Sequence, residues 1–224
     1  MSIKYNLKGL HMSKNLNHLF KEFTTEEDAK KWAKENYGQW LNDIQITEYT
    51  YESKNLNDLL YGYTGNMYLI YNRMLRGTEK YDSEDEETEE FNQRINIINN
   101  EISKLNLKEN VVVWRYTYKE LLKLLFEKQK IKVGHTFTDK AFIDTTLVPD
   151  LLRAFAYTHR YNCLLKLYLP KGTKGVYVEF YHKNDYLNEC EFLLPLNTTF
   201  VLKRKYFSFR YMKTVYECYL VAQE

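Results

Sequence analysis

The spacing of apolar residues changes character once along this chain, at Val111, and no other feature constrains the fold as much. Before that point they recur at helical intervals. Thr24 with Glu27 three residues on has the form of a capping box, in which a hydroxyl and a carboxylate satisfy the free amides of a helix start. Behind it Ala29, Trp32, Ala33, Tyr37, Trp40 and Leu41 fall on one helical face. A second helix is predicted from about residue 64 to Arg76. Gly77 stops it, because glycine readily takes the left-handed conformation that ends helices. The acidic run YDSEDEETEE reads as a solvated loop and helix start. Ile95, Ile98, Ile102 and Leu105 mark a third amphipathic helix.

From Val111 onward the apolar residues come in short, β-branched runs. VVVWRYTY, KAFIDTT, CLLKLYL, GVYVEFY, ECEFLLPL, TTFVLKRKYFSF and TVYECYLVA all read as strands, with helices at about 118–128 and 149–157. Helices first and mostly antiparallel strands later is an α+β pattern. No repeat and no linker divides the chain, so residues 1–224 are expected to form one domain, with 1–22 as an N-terminal helical extension.

Composition narrows the function classes. The 32 basic and 30 acidic residues leave a net charge of +2, which offers no general attraction for nucleic acid or a membrane surface. LKRKYFSFRYMK is basic and aromatic, but it alternates like a strand with one solvated face. Tyrosine is abundant at 21 copies while Pro and Gly are scarce, as in an ordered, strand-containing protein. The three cysteines, Cys163, Cys190 and Cys218, have no ligand-like spacing, so we expect neither a disulfide framework nor a metal. No apolar run approaches 18 residues, and the N-terminus has no secretory apolar segment. A cytosolic site of action follows as an expectation, with any delivery into another cell left to a separate route.

Three features carry chemistry. Arg115 directly follows the apolar run 111–114. It is a planar donor fork on a rigid edge, suited to paired phosphate oxygens, although surface pairing places arginines there too. Next, Phe142-Ile143-Asp144-Thr145-Thr146 sets adjacent hydroxyls where they can brace a cleft wall; the strand preference of threonine explains them equally well. Third, Glu189-Cys190-Glu191 precedes Phe192-Leu193-Leu194. In a strand, residues i and i+2 share a face. The two carboxylates are therefore predicted to point the same way, about 7 Å apart, with Cys190 packed in the core. Such a pair suits work on a sugar cation, while an exposed edge pair is the plainer reading of that motif alone.

In this order the blocks resemble the arginine–serine–glutamate class of bacterial mono-ADP-ribosyltransferase toxins. The enzymatic components of actin-modifying binary toxins, such as iota toxin, and the Rho-modifying exoenzymes look nearest. The resemblance spans about residues 22–222. FTTEEDAKKWAKENYGQW resembles the family's opening helix. YTGNMYLIYNRMLRG resembles its NAD-cradling helix, with Tyr63, Tyr68, Asn72 and Arg76 at the family's spacing. VVVWR, AFIDTTLVP, LLKLYLPKGTKGVYV and ECEFLLP follow in register. The fold this implies is an N-terminal helical layer on two facing, mostly antiparallel sheets, with NAD as co-substrate in the cleft between them and no metal.

The resemblance also implies roles. Arg115 pairs with the NAD phosphates, and Arg76 and Asn72 hold the adenine-side phosphate and ribose. Tyr63 and Tyr68 line the same site, and Thr145 and Thr146 brace the nicotinamide-ribose pocket. Phe155 and Arg160 correspond to a Phe-Ala-x-Arg pattern, into which FAYTHR inserts two residues. Glu191 bonds the ribose 2′-hydroxyl and stabilises the cation as nicotinamide leaves. Glu189 orients the acceptor and takes up its proton, and Tyr186 belongs to the target-recognition loop. A Glu at the first position of E-x-E goes with arginine acceptors, and a Gln with asparagine. Glu189 thus implies an arginine on actin or another cytosolic protein, modified by a monomeric toxin or effector. One residue departs from the pattern: the family's Ser-Thr-Ser reads Asp144-Thr145-Thr146 here, adding a carboxylate close to Glu191, where like charges raise a pKa. Two other readings remain open at this point, an NAD glycohydrolase and a non-catalytic binding module of the same fold.

Overall fold

The first helix begins one residue later than the capping motif suggests. In the computed structural model, which describes residues 3–4, 17–79, 85–127, 129–153, 160–180 and 189–223, α1 (Glu26–Asp43) is capped by Thr25. The Thr25 hydroxyl accepts from the Asp28 amide at 3.2 Å and donates to the Asp28 carboxylate at 2.7 Å. The sequence offers two overlapping frames, Thr24/Glu27 and Thr25/Asp28. Phe23 reaches beneath the helix to pack on Trp32 at 5.3 Å, which keeps the chain non-helical up to the second frame. The apolar face is as expected, with Ala29, Trp32, Ala33, Tyr37 and Leu41 buried and Trp40 packed against them.

The second helix starts earlier than predicted and is not uniform. It runs as α2 (Leu56–Gly62), a π-helical turn (Tyr63–Met67) and α3 (Tyr68–Leu75). Gly77 ends it at φ +70°, with its amide on the Met74 carbonyl and that of Thr78 on Arg73. The π turn has a positional consequence. At about 100° per residue, residues nine apart on a regular helix point to opposite sides. One extra residue in the turn brings them to within roughly 80°, and Asn72 duly donates to the Tyr63 hydroxyl at 3.0 Å. The next helix, α4 (Asp85–Ile102), buries Ile95, Ile98 and Ile102.

The strands follow the apolar runs: β2 (Val111–Thr117), β4 (Ile143–Thr146), β5 (Cys163–Leu169), β6 (Val176–Val178), β7 (Glu191–Leu194), β8 (Thr198–Ser208) and β9 (Lys213–Gln223). Two more were not foreseen, β3 (Thr136–Asp139) and β1 (Ile3–Lys4); both are too short to show a pattern. Helices α5 (Lys119–Leu125) and α6 (Pro149–Arg153) fall where expected. In the region read as a helical extension, the described residues form β1, a 3-10 turn at Asn17–Leu19 and a bridge from Lys21 to Val111. The sites called at Phe155 and Tyr186 lie outside the described residues.

The fold is α+β, with the helices mainly N-terminal. Among the described residues one hydrogen-bonded path runs β3-β8-β9-β5-β2-β4-β7-β6, with β1 added to β9, and only β5–β9 is parallel. The two expected sheets are therefore two arms of one path. They join at β2–β4, where Trp114 opposite Thr146 is the paired position. Val111 and Val113 face the large core beneath the helices, while Val112 and Trp114 face a smaller core on the other side. That double coverage explains the unbroken apolar run. The helical layer is pinned to the shorter arm by Tyr37, which donates to the Gly175 carbonyl at 3.3 Å, and by Trp40, which donates to Tyr177 at 3.0 Å. Gly175 sits at φ +153°, and a Cβ there would lie 2.8 Å from the Phe192 ring. Glycine is what lets β6 close on β7, the strand that carries Glu191.

Candidate active site

The junction between the arms brings the three sequence motifs together. One row of paired residues crosses it: Trp114 opposite Thr146, Thr146 opposite Glu191, and Glu191 opposite Val178. Arg115 is one step along β2 from this row, and Asp144 is two steps along β4. Directly paired residues share a sheet face, so Asp144 lies diagonal to Glu191 on the same face. Beneath them the hydroxyls of the Asp-Thr-Thr strand tie the ladder together. Thr145 donates to the Phe192 carbonyl at 2.5 Å and Thr146 to the Glu189 carbonyl at 2.6 Å.

The helix pair contributes the opposite wall. The buried Tyr63 hydroxyl donates to Asp144 Oδ1 at 2.5 Å, and Asn72 Nδ2 donates to Asp144 Oδ2 at 3.1 Å. Arg115 Nη2 lies 3.7 Å from the same Oδ2. Two polar atoms in this cluster are buried without a hydrogen-bond partner, Arg115 Nη1 and Asn72 Oδ1. An orphaned guanidinium donor and an orphaned amide acceptor in one cleft fit a ligand that offers an anionic oxygen and a hydroxyl.

The electrostatics centre on the carboxyls. Burial pushes Glu191 well above the usual carboxylate range, and Asp144 and then Glu189 push it further, against the pull of Arg115. Burial also raises Asp144, opposed by Arg115, the Tyr63 hydroxyl and Arg76. Tyr68 is raised to about 12, first by burial and then by Tyr161, Asp144, Glu189 and Glu191. The unfolded chain sheds the Glu191 proton at lower pH than the folded chain does. Stability is therefore full below the unfolded carboxylate range and falls as pH rises towards the folded value. Glu191→Gln removes that penalty. Calorimetry is expected to show the variant melting above the wild type at pH 8, with the difference gone below the unfolded carboxylate range.

Two expected placements change. Glu189 and Glu191 do not share a strand face, because β7 begins at Glu191 and Cys190 sits at φ +46°. The period-two argument therefore has no strand to act on at Glu189. The left-handed turn is held by Leu147, whose amide donates to the Cys190 carbonyl at 2.9 Å. Cys190 itself is fully buried, as expected. Arg76 is committed elsewhere: its Nε and Nη2 donate to the two oxygens of the buried Asp139 at 2.8 and 2.9 Å. Arg160 is exposed. The residue beside it, Tyr161, was not singled out from sequence. Its hydroxyl is raised first by burial, with further effects from Tyr118, Arg115, Glu189 and Asp144. It stacks edge-on to Tyr118 at 4.6 Å, and only the fold brings the two together.

Among the described residues no cluster of His, Cys, Asp or Glu could hold a metal ion, and no helix is long and apolar enough to cross a membrane. A family model, ADP-ribosyltransferase exoenzyme, matches residues 29–213. No curated protein matches by sequence. Solved structures share the fold at low identity. Plx2a, an ADP-ribosyltransferase toxin from Paenibacillus larvae, is 23% identical with a TM-score of 0.64, over 89% of this chain and 98% of that one. The C3 exoenzyme of Clostridium limosum is 19% identical with a TM-score of 0.65, over 90% and 97%. BECa, from a binary enterotoxin of C. perfringens and solved with NADH, is 21% identical with a TM-score of 0.64; the match covers 90% of this chain but 50% of that one.

Proposed function

We propose, since the chain belongs to the ADP-ribosyltransferase exoenzyme family, that it splits NAD and transfers one ADP-ribose to an arginine of a target protein, as a toxin or effector. The observation that carries this reading is the convergence of Glu191 and Arg115 at the junction of the two arms, with Arg115 Nη1 buried and unpaired. The nicotinamide–ribose bond breaks with its electron pair leaving on nicotinamide, and the ribose becomes a cation. Glu191 meets that cation with a carboxylate in a water-poor site, where such an interaction is strongest. Arg115 and Asn72 supply the donor and acceptor that a phosphate and a ribose hydroxyl call for. An acceptor guanidinium then attacks the ribose carbon and loses a proton to Glu189. A carboxylate at Glu189 suits a planar cationic fork, which favours arginine over the neutral amide of asparagine. Actin or another cytosolic protein is the first candidate target, reached in the cytosol after delivery by a separate route.

Arg115→Ala is expected to weaken NAD binding by about 1.5–3 kcal/mol, the usual worth of a charge-assisted hydrogen bond. Arg115→Lys should restore only part, because the fork geometry is lost. Calorimetry showing unchanged affinity in the Ala variant would remove Arg115 from the site. The function is tested by incubating the protein with labelled NAD and a eukaryotic lysate, then locating the label by mass spectrometry. Label on an arginine supports the proposal. Label on asparagine corrects the acceptor, and label found only as free ADP-ribose favours a glycohydrolase.

A further inference from the structure

Asp144 stands where the resembling toxins carry a serine, and its surroundings are built to hold an anion. Tyr63 from the π turn donates to one carboxylate oxygen, Asn72 from α3 donates to the other, and Arg115 from β2 faces it at 3.7 Å. Neither helix contact arises by chance of rotation: the π turn is what brings Tyr63 and Asn72 to one side of their helix. On the sheet side the register sets Asp144 diagonal to Glu191, across one strand gap and two residues along. A serine here would accept a proton bond and carry no charge. An aspartate brings a second carboxyl to the one that faces the forming cation, and fixes it with two donors.

We propose that Asp144, held by Tyr63 and Asn72, is a positioning residue for Glu191: it anchors Arg115 in the cleft and tunes the pH dependence of the reaction. The inference rests on the NAD-splitting reading for its catalytic consequence, but not for the titration itself. Tyr63, Asn72, Arg76 and Arg115 favour an ionised Asp144, with Arg115 the strongest electrostatic pull after burial is counted. Glu191 is opposed by Asp144 and Glu189 and helped by Arg115. Tyr68 and Tyr161 stay neutral near these charges, because burial raises both. With Asp144 ionised first, Glu191 keeps its proton to higher pH. It then loses the proton readily once a positive centre, the nicotinamide or the ribose cation, lies against it. The site is thereby quiet at acid pH and active when the pH rises.

The test follows the Glu191 carboxyl carbon by NMR in the free protein, in the wild type, Asp144→Asn and Asp144→Ser, beside the pH profile of nicotinamide release. Removing the Asp144 charge is expected to lower the Glu191 midpoint by about one pH unit or more. The acid limb of kcat/KM should move down with it, so that near pH 5 the variants lose less of their maximal rate than the wild type does. A Glu191 midpoint that stays put in both variants overturns the proposal. So does a uniform loss of rate with an unmoved acid limb, which is what a merely structural role would give. If the carbon titration shifts as expected while wild-type protein releases no nicotinamide at any pH, the placement of Asp144 stands and the transferase reading fails.

Discussion

Glu191→Gln is expected to cut nicotinamide release by at least about 10²–10³-fold, the usual cost of losing one charge-stabilising group in a reaction centre. Protein modification and water-driven NAD hydrolysis should fall together, because both wait on the same bond. The substitution keeps volume and adds no strain to β7. It removes a charge that costs stability to maintain, so the inactive variant should also be the more heat-resistant one at alkaline pH. Loss of activity with a raised melting point separates a catalytic role from a folding defect. Glu189→Gln should behave differently. Glu189 lies before the strand, on the far side of the Cys190 turn, with its carbonyl held by Thr146. Its side chain is assigned to the acceptor alone, so transfer should fail while hydrolysis stays within about tenfold of wild type. Hydrolysis lost as fully as in Glu191→Gln would merge the two roles.

Arg76→Ala should cost about 3–5 kcal/mol of stability, read by urea unfolding, because it strands Asp139 as an unpaired buried charge. The pair is bidentate and almost wholly out of water. Replacing both partners, as Arg76→Met with Asp139→Leu, should recover much of the loss. The expectation that Arg76 holds a phosphate makes a different forecast, a weakened NAD affinity in a protein of normal stability. The geometry favours the structural role. A destabilisation below about 1 kcal/mol would show that the pair is easily solvated and would free Arg76 for the ligand.

Much of the site could be read along the chain because its parts sit on regular elements. Arg115 is marked by the buried run before it, and Thr145 and Thr146 by their strand. Asn72 and Tyr63 entered through resemblance; their helical spacing alone argues against a contact, since nine residues separate opposite faces. The π turn that reconciles them leaves no mark in YTGNM. The two glutamates show the opposite failure. Period-two reasoning needs a strand, and nothing in Glu189-Cys190-Glu191 announces that the middle residue turns left-handed. Nothing in the sequence marks Asp139, because a lone aspartate in a short strand is ordinarily solvated. Its burial becomes visible only when the end of α3 delivers Arg76 against it. The junction of the arms is a tertiary fact of the same kind, since Trp114 and Thr146 are distant in sequence and meet only through pairing.

If the chain moves ADP-ribose from NAD to a guanidinium, a small guanidine reveals it without knowledge of the target. Purified protein is incubated with NAD and agmatine, and both nicotinamide and ADP-ribosyl-agmatine are measured by chromatography. Both products are expected from the wild type, neither from Glu191→Gln, and nicotinamide without the agmatine adduct from Glu189→Gln. No nicotinamide from the wild type, or an undiminished adduct from Glu189→Gln, would contradict it.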